Sequence, residues 1–186
     1  MFGWLATFGA PRREHPSTVQ TRWFHLGPQA LARTLPTLGS VLHLPRLRYV
    51  PCLTHLPRGV IASDELVAPL LATRLVGAGS AVTADGPREW LEYVDASGIC
   101  LARTYLLPDT DYLGWDALLA EGEPMGVDEW APVEQGFTAA QARVIRFDTN
   151  LVGGLRLLRS TGACAVSPMG RSLAGSIAQA QSVAYL

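Results

Sequence analysis

Cys52 and His55 lie three residues apart in one apolar stretch, PCLTHLPRG (51–59). An imidazole or a thiolate can ligate a transition metal in a pocket that is otherwise apolar, and Leu53, Leu56 and Pro57 surround His55 with suitable neighbours. The same residues have plainer uses. A loop His can simply face water, and a free Cys is commonly a small buried hydrophobe. Arg46, Arg48 and Arg58 flank the stretch. Guanidinium groups bind carboxylates through paired N–H donors, although a solvated charged loop would carry the same arginines. Further along, Arg103 and Tyr105 share one face of a predicted strand. There they can meet an anion or a bound water, or cover the sheet edge with a long side chain. His25 and His43 have no partner spacing, and His43, in an apolar strand, reads as a hydrogen-bonded structural residue. No GxGxxG, P-loop, HExxH or GxSxG is present, and the scattered His and Cys give no zinc spacing.

The elements that must position these residues centre on Arg88–Leu119. Trp90–Val94 is a β-type run, and Asp95-Ala96-Ser97-Gly98 is a turn with Gly98 where a positive φ costs least. Ile99–Leu106 is the return strand, with Ile99, Leu101, Arg103 and Tyr105 expected on one face. Asp109 or Thr110 is placed to cap a helix whose Tyr112, Trp115, Leu118 and Leu119 form an apolar stripe. Upstream, Gly27-Pro28 opens a helix through Leu31 and Leu35 that ends near Pro36. Gly39–Leu44 is then a strand. Pro45, Pro51 and Pro57 confine the following stretch to an edge strand with loops. Asp64–Leu75 reads as a short capped helix, and Gly77–Pro87 as a Gly-rich connection with a short strand at Ser80–Thr83. Thr138 and Gln141 have capping-box spacing before a helix to Phe147. Leu155–Val166 reads as two short strands around Ser160-Thr161-Gly162, and Ser172–Tyr185 as weakly helical. VGGLRLL (152–158) faintly echoes LGSVLHL (38–44), a hint of duplication.

The predicted class is α+β: an antiparallel sheet with helices packed on it. The predicted organisation is a loose segment (1–21), the α+β domain (22–122), a linker (123–136), and a C-terminal extension or partial second repeat (137–186). The 186 residues suffice for one real core. All fifteen basic residues are Arg and the net charge is −1, so no nucleic-acid footprint is expected. No run of about 18 apolar residues predicts a membrane span. Three widely spaced Cys imply reduced thiols. Arg12-Arg13 follow the apolar Met1–Ala10 instead of preceding it, the reverse of a signal peptide, so a cytoplasmic location is expected.

Two stretches together resemble the bacterial cytoplasmic haem-utilisation proteins, which degrade haem or hand it on. Leu35-Pro36-Thr37-Leu38-Gly39-Ser40-Val41 matches that family's Leu-Gly-x-Val step into a strand. Arg46 or Arg48 matches its Arg, and His55 with Gly59 matches a His four residues before a Gly. Later, the Asp95–Gly98 turn, Arg103 with Tyr105, and Thr110-Asp111 through Trp115 match its hairpin and Trp-bearing helix. The resemblance covers roughly residues 22–121. It implies haem b as cofactor, held through iron by His55 or, in an ungapped count from Arg46, by Cys52. Arg46, Arg48, Arg58, Arg103 and Tyr105 would meet the rest of the porphyrin. The family's Asp-Leu-Arg step has only a partial counterpart at Asp64-Glu65-Leu66, without the Arg. The expected function is haem binding and trafficking, with haem, a second copy in a homodimer and a haem-acceptor protein as partners. A haem-degrading enzyme, or a non-haem interaction protein on the same fold, is the alternative.

Overall fold

Strand periodicity dominates the chain. In the computed structural model, residues 19–48, 57–83, 86–126, 136–163 and 165–186 are described. They form one nine-stranded sheet: β1 (Gln20–His25), β2 (Gly39–Pro45), β3 (Val60–Ala62), β4 (Leu75–Thr83), β5 (Gly86–Val94), β6 (Cys100–Thr110), β7 (Glu123–Pro124), β8 (Arg143–Val152) and β9 (Leu155–Gly162). The spatial order is β3-β9-β8-β2-β6-β5-β4-β1-β7. All neighbours are antiparallel except β3 and β9, which run parallel, so the sheet is mixed within an α+β fold. Three α-helices pack on it: α1 (Pro28–Thr34), α2 (Tyr112–Glu121) and α3 (Pro168–Ala180).

One sheet face carries the larger core. Val41, Leu91, Tyr93, Leu106, Ile145 and Phe147 meet Leu31, Leu35 and Leu38 of the α1 region and Trp115 and Leu118 of α2. The other face is covered by α3 and by residues 137–142, over Leu42, Leu44, Trp90, Tyr105 and Leu107. The predicted hairpin and helix are present. Asp95 Oδ1 accepts the Ser97 and Ile99 N–H groups, and Gly98 has φ 85°. The helix cap is Asp111 rather than Asp109 or Thr110: its Oδ1 accepts Leu113 N–H at 2.9 Å and Gly114 N–H at 3.1 Å. Thr110 instead donates to Ser40 O and accepts Leu107 N–H, while Asp109 accepts from Ser167, the cap of α3. Trp115 and Leu118 are buried and Leu119 is half-buried.

Several expectations are corrected. Gly77–Pro87 is no loose connection. Its first part lies in β4, where Gly77 and Gly79 sit under the Trp23 and Trp90 rings. A Cβ would come within 2.7 Å of Trp23 at Gly77 and within 2.3 Å of Trp90 at Gly79. The glycines are there for close approach, not for a turn. The expected face of β6 is also shifted. Tyr93 pairs with Ala102 and Val94 with Cys100, so Leu101 is an extra, bulged residue. Cys100 therefore joins the Arg103 and Tyr105 face, and Leu101 enters the larger core. The stretch from Thr138 to Phe147 is not helical: β8 begins at Arg143 and buries Ile145 and Phe147 at period two. The turn after β8 is at Gly153-Gly154, with φ 58° and 81°, and Leu155–Gly162 is one strand instead of two. The VGGLRLL segment is thus a hairpin turn entering β9, whereas LGSVLHL enters β2 from a 3-10 turn. Asp64–Leu75 forms a turn, a 3-10 helix at Ala68–Ala72 and the start of β4. The edge strand expected within Pro45–Gly59 falls largely on residues outside those described; β3 follows it, at the edge of the sheet. Residues 143–162 extend the common sheet, because β8 pairs with β2.

Candidate functional site

Residues on β5 and β6 point to the α3 side of the sheet in alternation, which stacks Trp90 and Glu92 against Tyr105 and Arg103. The Trp90 and Tyr105 rings lie 5.8 Å apart at 34°. Glu92 Oε1 receives Arg103 Nη2 at 2.8 Å and Trp90 Nε1 at 3.0 Å. Both charged side chains are nearly buried, at 12% and 13% exposure, so the pair is internally neutralised. Phe137 caps it, its ring centre 4.8 Å from the Arg103 guanidinium carbon. Arg103 and Tyr105 thus share a face as expected, but that face is closed over, and Arg103 is engaged by Glu92. Burial, and then the Glu92 charge, push the neighbouring Cys100 thiol up to about 12, so it stays protonated. Tyr105 is raised by burial. The Glu92–Arg103 pairing had one signal in the sequence: opposite charges facing each other across a hairpin.

Arg46 continues β2. Its N–H bonds Leu101 O at 2.9 Å, and its guanidinium reaches Cys100 O at 3.2 Å and Gly136 O at 3.5 Å. Next, Leu47 N–H bonds Thr138 O at 2.8 Å, and Arg48 is exposed with φ 57°. On the far side, Arg58 is exposed and its carbonyl accepts Gln29 Nε2 at 2.7 Å. Gly59 follows with φ 80°, the left-handed region that favours glycine. Cys52 and His55 lie outside the described residues.

Behind this frame is a buried polar chain that sequence reasoning found only in part. His43 is fully buried. Its Nε2 bonds Leu66 O at 3.1 Å, so that nitrogen must carry the proton. Its Nδ1, 2.9 Å from Thr104 Oγ1, therefore accepts the Thr104 hydroxyl. Phe147 meets the ring edge-on at 5.5 Å. Asp64 holds the Leu66 turn by accepting Leu66 and Val67 N–H, and ties it to β9 through Ser160. Burial raises the Asp64 pKa, but the Ser160, Ser63 and Val67 donors outweigh it and hold the carboxyl below its usual range. Burial lowers His43 from 6.5 to about 4. The unfolded chain therefore takes up this proton first. The stabilisation is whole above pH 6.5 and is lost as pH falls towards 4, about 3 kcal/mol in all. Denaturant midpoints measured from pH 7 to pH 4 should fall more steeply for the wild type than for His43→Gln; parallel curves would contradict this.

Haem iron needs an available imidazole, thiolate or phenolate. His43 has both ring nitrogens occupied, and Cys100 is a buried, protonated thiol, so neither suits an iron ligand. The exposed Arg48 and Arg58 suit the propionate edge of a porphyrin. A separate open cleft of about 690 Å³ lies between α3, the start of α2 and the β5–β6 end of the sheet, lined by Arg88, Leu106, Tyr112, Met169 and Leu173 among others. Among the described residues, none of the predicted site residues lines it.

No known protein family's profile matches the chain, and no curated protein matches it. Among solved structures, the chain is similar to ChuS, a heme degrading enzyme of Escherichia coli O157:H7, at 20% identity and TM-score 0.41, over 60% of this chain and 40% of that one. A second ChuS structure, described as an E. coli heme oxygenase, gives 19% identity and TM-score 0.43, over 64% and 40%. Holo-PhuS, a heme-binding protein from Pseudomonas aeruginosa, gives 21% identity and TM-score 0.39, over 60% and 36%. The chain therefore spans 40% of the ChuS chain and 36% of the PhuS chain. These solved structures are described as heme-degrading and heme-binding proteins of two bacteria.

Proposed function

We propose that this chain binds haem in the cytoplasm and passes it to an acceptor protein, as a carrier in haem utilisation. The observation that carries this reading is the frame around residues 49–56. The chain leaves β2 through Arg46 and Leu47, both tied by backbone hydrogen bonds, and returns through Arg58 and Gly59, fixed by Gln29 and a positive φ. Gly59 stands four residues after His55 and has the conformation that calls for glycine there. In the proposal His55 is the iron ligand, with Cys52 as the alternative. Arg48 and Arg58 take the propionates. Arg46, Arg103 and Tyr105 support the wall behind them. A homodimer is a compatible assembly.

Carriage is favoured over degradation by what the neighbouring residues are already doing. Degrading haem needs a donor or an ordered water that activates oxygen over an open iron position. Leu66 stands where the resembled family has an Arg, and its carbonyl is held by His43. Arg103 is engaged by Glu92. A carrier needs only a ligand, an apolar cleft and an exit. The test supplies ascorbate under air, with catalase present, to the hemin-loaded protein and follows the Soret band. The carrier reading expects the band to persist and to move to an added apo-haem acceptor. Catalase-insensitive loss of the band, with biliverdin-like product and released iron, would establish the degrading enzyme instead.

A further inference from the structure

From the tip of the β8–β9 hairpin we infer that the chain docks on an anionic membrane surface. Val152 faces Leu155 and Leu151 faces Arg156 across a two-residue Gly153-Gly154 turn. Three aliphatic side chains at this tip are open to solvent: Leu151 at 71% exposure, Val152 at 52% and Leu155 at 40%. Leu151 and Gly154 line a shallow cleft with Gln29, Arg33 and Gly59, and β8 buries Ile145 and Phe147 lower down. Adjacent apolar residues left exposed on a turn mark an interaction site.

Charge indicates the partner. The β8–β9 hairpin (143–162) contains four Arg (143, 146, 156 and 159) and one acid, Asp148, a formal charge of +3 in a chain whose net charge is −1. Asp148 is itself ion-paired with Arg159. Arg143 and Arg146 are exposed along β8, and Arg156 is half-buried beside Leu151. An aliphatic wedge with a basic shank is complementary to the acyl–headgroup boundary of an anionic leaflet, where apolar insertion and attraction of each Arg add together. The closed hairpin strands few backbone polar groups on shallow entry. A second copy of the chain is a poorer occupant: a stable dimer buries roughly 1,200–2,000 Å² in total, and one narrow turn offers far less. The inference does not depend on haem binding.

The test is co-sedimentation of the full chain with phosphatidylcholine vesicles, with and without phosphatidylglycerol. The variant is Leu151→Ser with Val152→Ser, two exposed positions; thermal melts check that it folds as the wild type does. The expected result is wild-type binding to the phosphatidylglycerol vesicles alone, weakened by salt, with partitioning reduced roughly tenfold in the variant. Wild type that stays in the supernatant with both vesicle types, or a variant that binds as well as wild type, would overturn the inference. Vesicle-independent self-association that the variant abolishes would also overturn it, assigning the tip to a second copy.

Discussion

Trp115→Ala should lower the unfolding free energy by about 3–5 kcal/mol, the range for truncating a large aromatic in a packed core. Trp115 is 7% exposed and belongs to the larger core with Leu118, Leu35 and Leu38. The cost should fall in this range because α2 cannot slide to fill the hole. Asp111 pins its first turn, and Gly114 lies against the Thr37 carbonyl so closely that a Cβ there would come within 2.4 Å of the oxygen. A cavity that cannot collapse keeps its full penalty. Urea denaturation of the two proteins checks this, and an unchanged midpoint would mean that α2 does not pack as described.

Glu92→Ala should cost about 3 kcal/mol, at the lower end of what breaking a buried ion pair costs, since slight exposure remains. The loss comes mainly from what is left behind. Arg103 would keep a nearly buried charge under Phe137 with its carboxylate gone, and Trp90 Nε1 would lose its acceptor. Removing both charges, with Glu92→Leu and Arg103→Met, should recover most of the stability, because well-packed apolar residues replace buried pairs at little cost. If the double variant were as unstable as the single one in the same denaturation experiment, the desolvation argument would fail.

Much of the hairpin-helix unit was legible in the sequence because its signals are local. Gly98, the Asp-rich cap and the Trp115–Leu118 stripe each act within one turn of chain; the capping residue moved to Asp111, and Tyr112, expected in the stripe, is exposed. The β4 glycines misled because their reason is non-local: the rings that need the space, Trp23 and Trp90, come from other strands. The 138–147 stretch misled in the opposite way. Its capping spacing is real, but Val144 and Phe147 fit a strand as well as a helix, and the exposed edge of β2 decided between them. The Leu101 bulge moved Cys100 across the sheet, a shift that periodicity alone does not reveal. At the candidate site, the His43 assignment followed from its apolar neighbours. The partners Thr104 and Leu66, 61 and 23 residues away, came only with the fold.

In the proposed carrier, the segment between Arg48 and Arg58 holds haem through His55. Hemin titration of the wild type, His55→Ala and Cys52→Ala, read in the ferric visible spectrum, tests it most directly, because imidazole and thiolate ligation give different bands. The wild type should form a saturable complex, Cys52→Ala should keep its spectrum, and His55→Ala should lose the complex or its ligand signature. A His55→Ala protein that binds hemin with wild-type affinity and spectrum would contradict it.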